Sequence, residues 1–287
     1  MFCTESPWEP APARTPAATT LFAIGDIHGC SAQLEAMLFV LERAIEAARA
    51  AGRSVEVVLL GDYVDRGPDS LGVLDRLPGL ALRLGCPVVT LVGNHDHAMR
   101  EALRTAPSEE DVAEWAWMGL SVMRELTLRP PRVPVRDPAG FAAEARAVLG
   151  EARLQTLRGL APLHRAGDYL FVHGGVHPAL PLEQHALHDL VWMREPFLET
   201  DAWPHDFVVV HGHTILGPQV RRHRVGTDAG CFHTGILAAV ELADDRLRFH
   251  LVTARPEIGA LRSVLDPRER RSFARVVPIE PPAQPNR

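Results

Sequence analysis

A chain of 287 residues, 46% apolar and 23% charged, can bury a full core in one large domain or two small ones and has the composition of an ordinary globular protein. Its net charge of −6 gives no general electrostatic attraction to nucleic acid or to an anionic membrane surface. All 30 basic residues are arginine, as codon bias in a GC-rich genome would produce, and this excludes lysine as a Schiff-base former or P-loop phosphate ligand.

Residues 1–19 are rich in Pro, Ala and Thr, show no period and read as a disordered arm. The patterning predicts a strand at Leu21 to Ile24, then a helix N-capped by Ser31, with Leu34, Met37, Leu38, Leu41 and Ile45 on one face and Gly52 as its stop. A second strand is predicted at Val55 to Leu60, a helix from Asp69 and Ser70, and a third strand at Val88 to Val92. Residues 96–165 read as mostly helical and as a cap over a site. In that stretch, Ser108 with Asp111 forms a capping-box pattern, a proline-rich linker spans 129–140, and Phe141 to Leu157 reads as one helix. Strands are then predicted at Tyr169 to Val172 and Phe207 to Val210. A meander follows over Val225 to Thr227, Ile236 to Leu242 and Leu247 to Thr253. Residues 256–287 read as an extension whose proline-rich end is disordered, which leaves 20–255 as one α/β domain. Cys3, Cys30, Cys86 and Cys231 are scattered without a CxxC pair, so neither a zinc ribbon nor a disulfide framework is expected. No signal-peptide pattern and no long apolar run occur, so a cytoplasmic location without a membrane is expected.

Chemistry gathers where these apolar runs stop. The first runs into Gly25-Asp26-Ile27-His28-Gly29, the second into Gly61-Asp62-Tyr63-Val64-Asp65-Arg66-Gly67, and the third into Gly93-Asn94-His95-Asp96. The later two run into His173-Gly174-Gly175 and His211-Gly212-His213-Thr214. Ligands of open α/β sheets bind at the carboxyl ends of strands, so these tips are expected to converge. A mixed oxygen and nitrogen donor set without thiolate suits Mn, Fe, Zn or Co. The ligands exceed what one ion needs, and two ions roughly 3.5–4 Å apart would use them all, with Asp62 the best bridge. Any one of these motifs alone is weak, since single DxH or GD pairs arise by chance and a buried histidine is more often a satisfied core residue. All of them in this order, each closing an apolar run, point to a site.

GDIHG, GDYVDRG, GNHD, HGG and HGHT resemble the signature of the calcineurin-like metallophosphoesterases, and GDYVDRG resembles their phosphoprotein phosphatase branch. RGPDS, DYLFVHGGVHP, DLVWMREPF, VVVHGHT and TDAGC extend the similarity to bacterial serine/threonine phosphatases of that branch, related to phage lambda phosphatase and to diadenosine tetraphosphatases, over about residues 21–243. The resemblance implies two packed mixed β-sheets flanked by helices, an α/β/β/α sandwich with a helical cap insertion. It implies one ion held by Asp26, His28 and Asp62, and a second held by Asp62, Asn94, His173 and His213. His95 resembles the family's general acid and Asp65 the residue that orients it. Arg66 and Arg194 resemble the arginines that clamp phosphoryl oxygens, and His211 is expected to orient a ligand from behind. The chain departs from the pattern at Asp96, where the branch more often has Glu, at Gly174 in place of Ala, and at Met118-Gly119-Leu120 in place of an NGG-like stretch.

The expected activity is hydrolysis of a phosphoester by water activated between two divalent transition-metal ions, manganese foremost, without a phosphoenzyme. Phosphoserine or phosphothreonine in protein is the first expected substrate class, because tetraphosphatases of the family typically lack the acid equivalent to Asp65. Hydrolysis of diadenosine tetraphosphate or another small phosphoester, or another phosphodiesterase activity, is the alternative. A non-catalytic metal-stabilised module is disfavoured, since every ligand position is filled, and long nucleic acid fits poorly with the negative charge. Trp115, Trp117, Arg129, Arg132 and Arg136 are candidates to meet substrate from the cap, with core packing and solvated charge the plainer readings.

Overall fold

The computed structural model describes residues 1–254 and 277–279. In chain order its elements are β1 (Phe2–Glu5), β2 (Glu9–Pro10), β3 (Thr19–Ile24), α1 (Ser31–Ala50), β4 (Ser54–Leu59), α2 (Ser70–Arg76), α3 (Leu80–Leu84), β5 (Val88–Thr90), α4 (Asn94–Ala102), α5 (Glu109–Met118), α6 (Leu120–Glu125), α7 (Pro138–Leu149) and α8 (Glu151–Arg158). After these come β6 (His164–Ala166), β7 (Tyr169–Phe171), α9 (Leu187–Trp192), β8 (Val208–His211), β9 (Gln219–Val220), β10 (Arg224–Gly226), α10 (Cys231–Thr234), β11 (Ile236–Ala243), β12 (Arg246–Thr253) and β13 (Val277–Pro278).

Two mixed sheets lie face to face. The larger runs β13-β1-β12-β11-β3-β4-β5, with β2 also on β12, and the smaller runs β6-β7-β8-β10-β9. In the larger sheet β3, β4 and β5 are parallel, and in the smaller β7, β8 and β10 are parallel. Both faces of each sheet are covered, so the strands read as unbroken apolar runs. Leu21 and Ala23 of β3 point into the layer between the sheets with Tyr169, Phe171, Val208 and Val210, whereas Phe22 and Ile24 point to α1. Leu170, Val172 and Val209 face outward onto Leu190, Phe197 and Phe207. Each such side chain contributes about 1.5–3 kcal/mol of burial. This is the expected two-sheet sandwich flanked by helices.

Local differences from the sequence reading have identifiable causes. Cys30, not Ser31, stands at the N-cap of α1 and makes no side-chain cap bond; the apolar stripe and the turn at Gly52 (φ +74°) are as expected. The segment 1–19 is not a disordered arm. Its β1 pairs antiparallel with β12 from Phe2↔Thr253 to Glu5↔His250, and β2 pairs with β12 at an edge position where Pro10 needs no N–H. A local composition rule misses strands whose partner lies some 240 residues away. Val225 is not in a meander with β11 and β12, but joins the smaller sheet beside β8. Phe141 to Leu157 is broken into α7 and α8 at Gly150 (φ +85°). The expected extension 256–287 lies outside the described residues except for 277–279, where β13 pairs with β1. Among the described residues no helix is long and apolar enough to cross a membrane.

The helical stretch 96–165 is mostly a side layer rather than a lid, and it ends on the strand β6. Trp115, Val112, Val122 and Met123 join the core that also holds α1 and α2. Trp115 is wholly buried, and Arg132 and Arg136 line a separate surface groove with Phe141.

A buried clamp ties the first strand to the sheet. His250 of β12 is fully buried, its Nε2 lies 2.7 Å from Glu241 Oε2, and its Nδ1 makes an ion-pair contact of 3.3 Å with Glu5 Oε1. Arg248 donates to both carboxylates, at 2.7 Å and 2.9 Å. Burial alone would lower the His250 pKa; the bonds to Glu241 and Glu5 outweigh it and hold the value above the ordinary 6.5. A raised folded-state value means the stabilisation is complete below about pH 6.5 and fades as pH climbs past that raised value. Thermal unfolding should therefore show H250Q less stable than wild type by about 1.5 kcal/mol near pH 6, with the gap narrowing in alkaline buffer. A gap that stays constant would remove the imidazolium from the clamp.

Candidate metal centre and active site

The parallel strands deliver the predicted residues to one edge. Asp26 and His28 follow β3, Asp62, Asp65 and Arg66 follow β4, and Asn94 and His95 open α4 after β5. His173 follows β7, His211 closes β8, and His213 lies two residues beyond. The β3 and β4 tips are laced together, since His28 N and Gly29 N donate to the carbonyls of Asp62 and Tyr63 at 2.8 and 2.9 Å. Of the non-glycine residues with positive φ among those described, His28, Asp62, Asp65, Arg66 and His213 all belong to these tips, with φ from 44° to 70°. Each such residue costs about 1–2 kcal/mol and is held there by its surroundings.

What the tips assemble is a set of lone pairs. His28 Nδ1 donates to the Val64 carbonyl at 2.9 Å, so its Nε2 presents a lone pair to Asp62 Oδ2, 3.3 Å away. His173 Nδ1 donates to the Leu60 carbonyl at 2.8 Å, so its Nε2 faces Asn94 Oδ1 at 3.1 Å and Asp62 Oδ1 at 3.5 Å. His213 Nδ1 meets the same Asn94 oxygen at 2.9 Å, and its Nε2 is buried without a partner. Both Asp26 oxygens accept from His213 N, at 3.1 and 3.0 Å. Acceptors that face one another in a dry pocket need a proton or a cation between them.

The charges express the same demand. Burial and the nearby Asp228 push Asp26 well above the ordinary carboxylate range. Burial would lower His173, but Asp62 and Asp26 raise it to about 10. Burial alone would raise Asp62, but His173, His95 and His28 hold it well below its usual value. Burial drives His28 down to about 4, and burial with His173 drives His213 to about 2, leaving both neutral and able to bind a metal. Two donor groups have mutually close atoms, His28 with Asp62 and His95, and Asp62 with His173 and His213. Asp62 is common to both. The residues present fit divalent metal ions.

His95 has a second set of partners that the other imidazoles lack. Its Nδ1 lies 2.8 Å from Asp65 Oδ2, and its Nε2 accepts from Arg66 at 3.2–3.3 Å. The Arg66 guanidinium also lies over the Phe232 ring, 4.9 Å from its centre. Arg66, His95, Asn94 and Asp62 share a cleft of about 340 Å³ with Arg194, Trp117, Met118, Trp192, Asp228 and Phe232. Of the cap residues proposed to meet substrate, only Trp117 reaches this cleft. His211 hydrogen-bonds the Gly212 carbonyl at 3.0 Å and packs edge-on against Phe197, 5.1 Å between centres. It therefore braces the turn that carries His213, rather than the side chain of another residue.

A profile of the calcineurin-like phosphoesterases matches residues 19–234, a span that contains every one of these tips. The chain belongs to the calcineurin-like phosphoesterase family. That family uses divalent metals, and the His and Asp groups gathered here could bind them. A symmetrical bis(5'-nucleosyl)-tetraphosphatase of Methylococcus capsulatus is 31% identical over 160 residues, 55% of this chain and 44% of that protein. Shewanella-like protein phosphatase 2 of Arabidopsis thaliana is 30% identical over 182 residues, 54% of this chain and 46% of that protein. The chain thus spans about half the length of these curated relatives. A crystallised protein described as a candidate diadenosine tetraphosphatase shares the fold with TM-score 0.52 at 24% identity, covering 80% of this chain and 93% of its own.

Two carboxylates at the site carry more than their motifs suggest. Asp96 lies on the third residue of α4 and accepts from Asp62 N at 2.7 Å, Gly93 N at 3.0 Å and Tyr63 N at 3.0 Å. It caps the helix and fixes the backbone of the central carboxylate at once; its position at N3 after Gly93 was the available signal. Asp228, in the stretch TDAGC, lines the cleft beside Asp26, and burial raises it to about 6.

Backbone crowding makes a sharp test. A Cβ at Gly212 would stand 2.0 Å from Asp26 Oδ1, so Gly212→Ala should displace that carboxylate. Its affinity for Mn²⁺, read by calorimetry, should fall about 10–100-fold while the thermal transition remains cooperative. Unaltered affinity would mean that Asp26 is not a ligand.

Proposed function

We propose that this chain hydrolyses dinucleoside polyphosphates, with two divalent cations held by Asp26, His28 and Asp62 and by Asp62, Asn94, His173 and His213. The convergence of imidazole nitrogens and amide and carboxylate oxygens on both sides of Asp62 carries the metal assignment, and the tetraphosphatase relatives support the substrate class. Bound there, such ions neutralise phosphoryl oxygens and bring the pKa of water toward neutrality; manganese suits the oxygen and nitrogen donors.

The protein's own groups do the rest. Arg66 and Arg194 line the cleft and can fork onto phosphoryl oxygens as charge builds on them. Asp65 holds His95 by Nδ1, which aims Nε2 at the cleft; once Arg66 leaves that nitrogen for the phosphoryl oxygens, Nε2 can carry the proton that passes to the departing oxygen. Water supplies the oxygen that forms the new bond to phosphorus. Cleavage of a central anhydride releases two nucleoside diphosphates, whose phosphate oxygens leave with little need of that proton.

The Asp65–His95 pair favours a second reading, since a seryl alkoxide is a poor leaving group that does need protonation. On that pair alone phosphoserine or phosphothreonine ranks first; the weight of the relatives reverses the order. Reconstitution with Mn²⁺ and side-by-side turnover of diadenosine tetraphosphate, phosphoserine and phosphothreonine peptides, and bis-p-nitrophenyl phosphate decides between them. The dinucleotide should lead, and a strong preference for the peptides would install the second reading. His95→Ala should cost about 10²–10⁴-fold on a seryl phosphate and much less on p-nitrophenyl phosphate, whose phenolate leaves unaided. Equal losses on both would strip His95 of the acid role.

A further inference from the structure

The helical layer sends one corner into the metal cleft, and the residue it exposes there is a tryptophan. Trp115 and Trp117 are two positions apart on α5 and meet opposite fates: the first is fully buried, the second 78% exposed. Among the described residues, no ring or guanidinium stacks on Trp117. Water-facing indole is an expensive thing to leave at the mouth of a polar site, and an exposed large apolar surface beside a site marks a place where something binds. The corner is also fixed in place. Met118 Sδ lies 3.9 Å from Asn94 Nδ2, so the next residue along touches a member of the proposed donor set. Trp192 and Phe232 line the same cleft, but each is already engaged: Trp192 packs edge-on against His213, 5.7 Å between ring centres, and Phe232 carries the Arg66 guanidinium. Ile215, half exposed, adds a further apolar contact.

This cleft therefore offers guanidiniums for phosphates and an unengaged flat π-surface for whatever the phosphate is attached to. Phosphoserine has nothing flat to place there, whereas a nucleobase does. We propose that Trp117 is the platform on which a nucleobase of the substrate stacks, which makes it a specificity-determining residue for nucleoside polyphosphates. This rests on the dinucleotide reading above and adds to it the part of the protein that reads the base. Trp117 touches the base, not the reacting phosphorus, so its contribution falls on binding rather than on the chemical step.

The test compares diadenosine tetraphosphate with inorganic tetrapolyphosphate, the same chain of phosphates without bases, on Mn²⁺-loaded enzyme. Trp117→Ala should raise KM for the dinucleotide about tenfold, equivalent to ~1.4 kcal/mol, and lower the ratio of the two kcat/KM values to match, with kcat for the dinucleotide little moved. Trp117→Phe should restore most of that ratio. A binding readout runs alongside: ADP should quench the intrinsic tryptophan fluorescence of wild type more than pyrophosphate does, and the difference should vanish in Trp117→Ala. Equal losses on both polyphosphates, an unchanged ratio, or a quench that survives the substitution would each overturn the proposal. If wild type turns over no dinucleotide at all, the substrate reading falls, and the ADP quench still decides whether Trp117 stacks a base.

Discussion

Asp62 sits among imidazoles whose Nδ1 groups are already committed elsewhere. His28 and His173 each give Nδ1 to a backbone carbonyl, of Val64 and Leu60, and so turn Nε2 toward the same carboxylate: His28 with an electron pair, His173 with a proton where a cation would sit. No arrangement of neutral side chains satisfies that geometry, and burial forbids water from doing it cheaply. Much else in the fold can be seen as support for this one frustrated spot. The left-handed backbone at His28, Asp62 and His213 is tolerated because lacing between the tips holds it, and Gly212 is bare so that Asp26 can approach. Strain and repulsion of this kind persist only where the remainder of the structure over-determines them.

That remainder is the pair of parallel three-strand blocks. Because β3, β4 and β5 run one way and β7, β8 and β10 run together in the facing sheet, residues almost 190 positions apart in the chain meet at one rim. The inter-sheet layer of aliphatic and aromatic side chains sets the spacing of the two rims. The donors ride on strand ends and on the first turn of α4, and the apolar lip rides on α5, which packs chiefly against α4.

The core of this arrangement is legible in the sequence because each strand is an apolar run cut off by glycine and a ligand, and both signals are local. The buried strands β3, β4, β7 and β8, the stripe of α1 and the Ser108–Asp111 cap all follow from such local pattern. Three kinds of feature do not. The N-terminal β1 and β2 depend on β12, far along the chain, and their composition suggests nothing of it. Assignment of Val225 to the smaller sheet, rather than to a hairpin, depends on which of two equally apolar neighbours it pairs with. The different fates of Trp115 and Trp117 depend on how α5 rotates against its neighbours, which a short helix with two nearby indoles leaves open. Asp96 was in plain sight but was weighed as a variant of a motif, while its work is done on backbone amides that no motif records.

Those amides have a consequence of their own. The carboxylate of Asp96 grips the N–H groups of Asp62, Tyr63 and Gly93 with ordinary hydrogen bonds. The strand tip is therefore anchored by the polypeptide itself. One side chain thus sets three peptide units together, so a loss at position 96 would slacken the tip of β4 and the start of α4 in the same stroke.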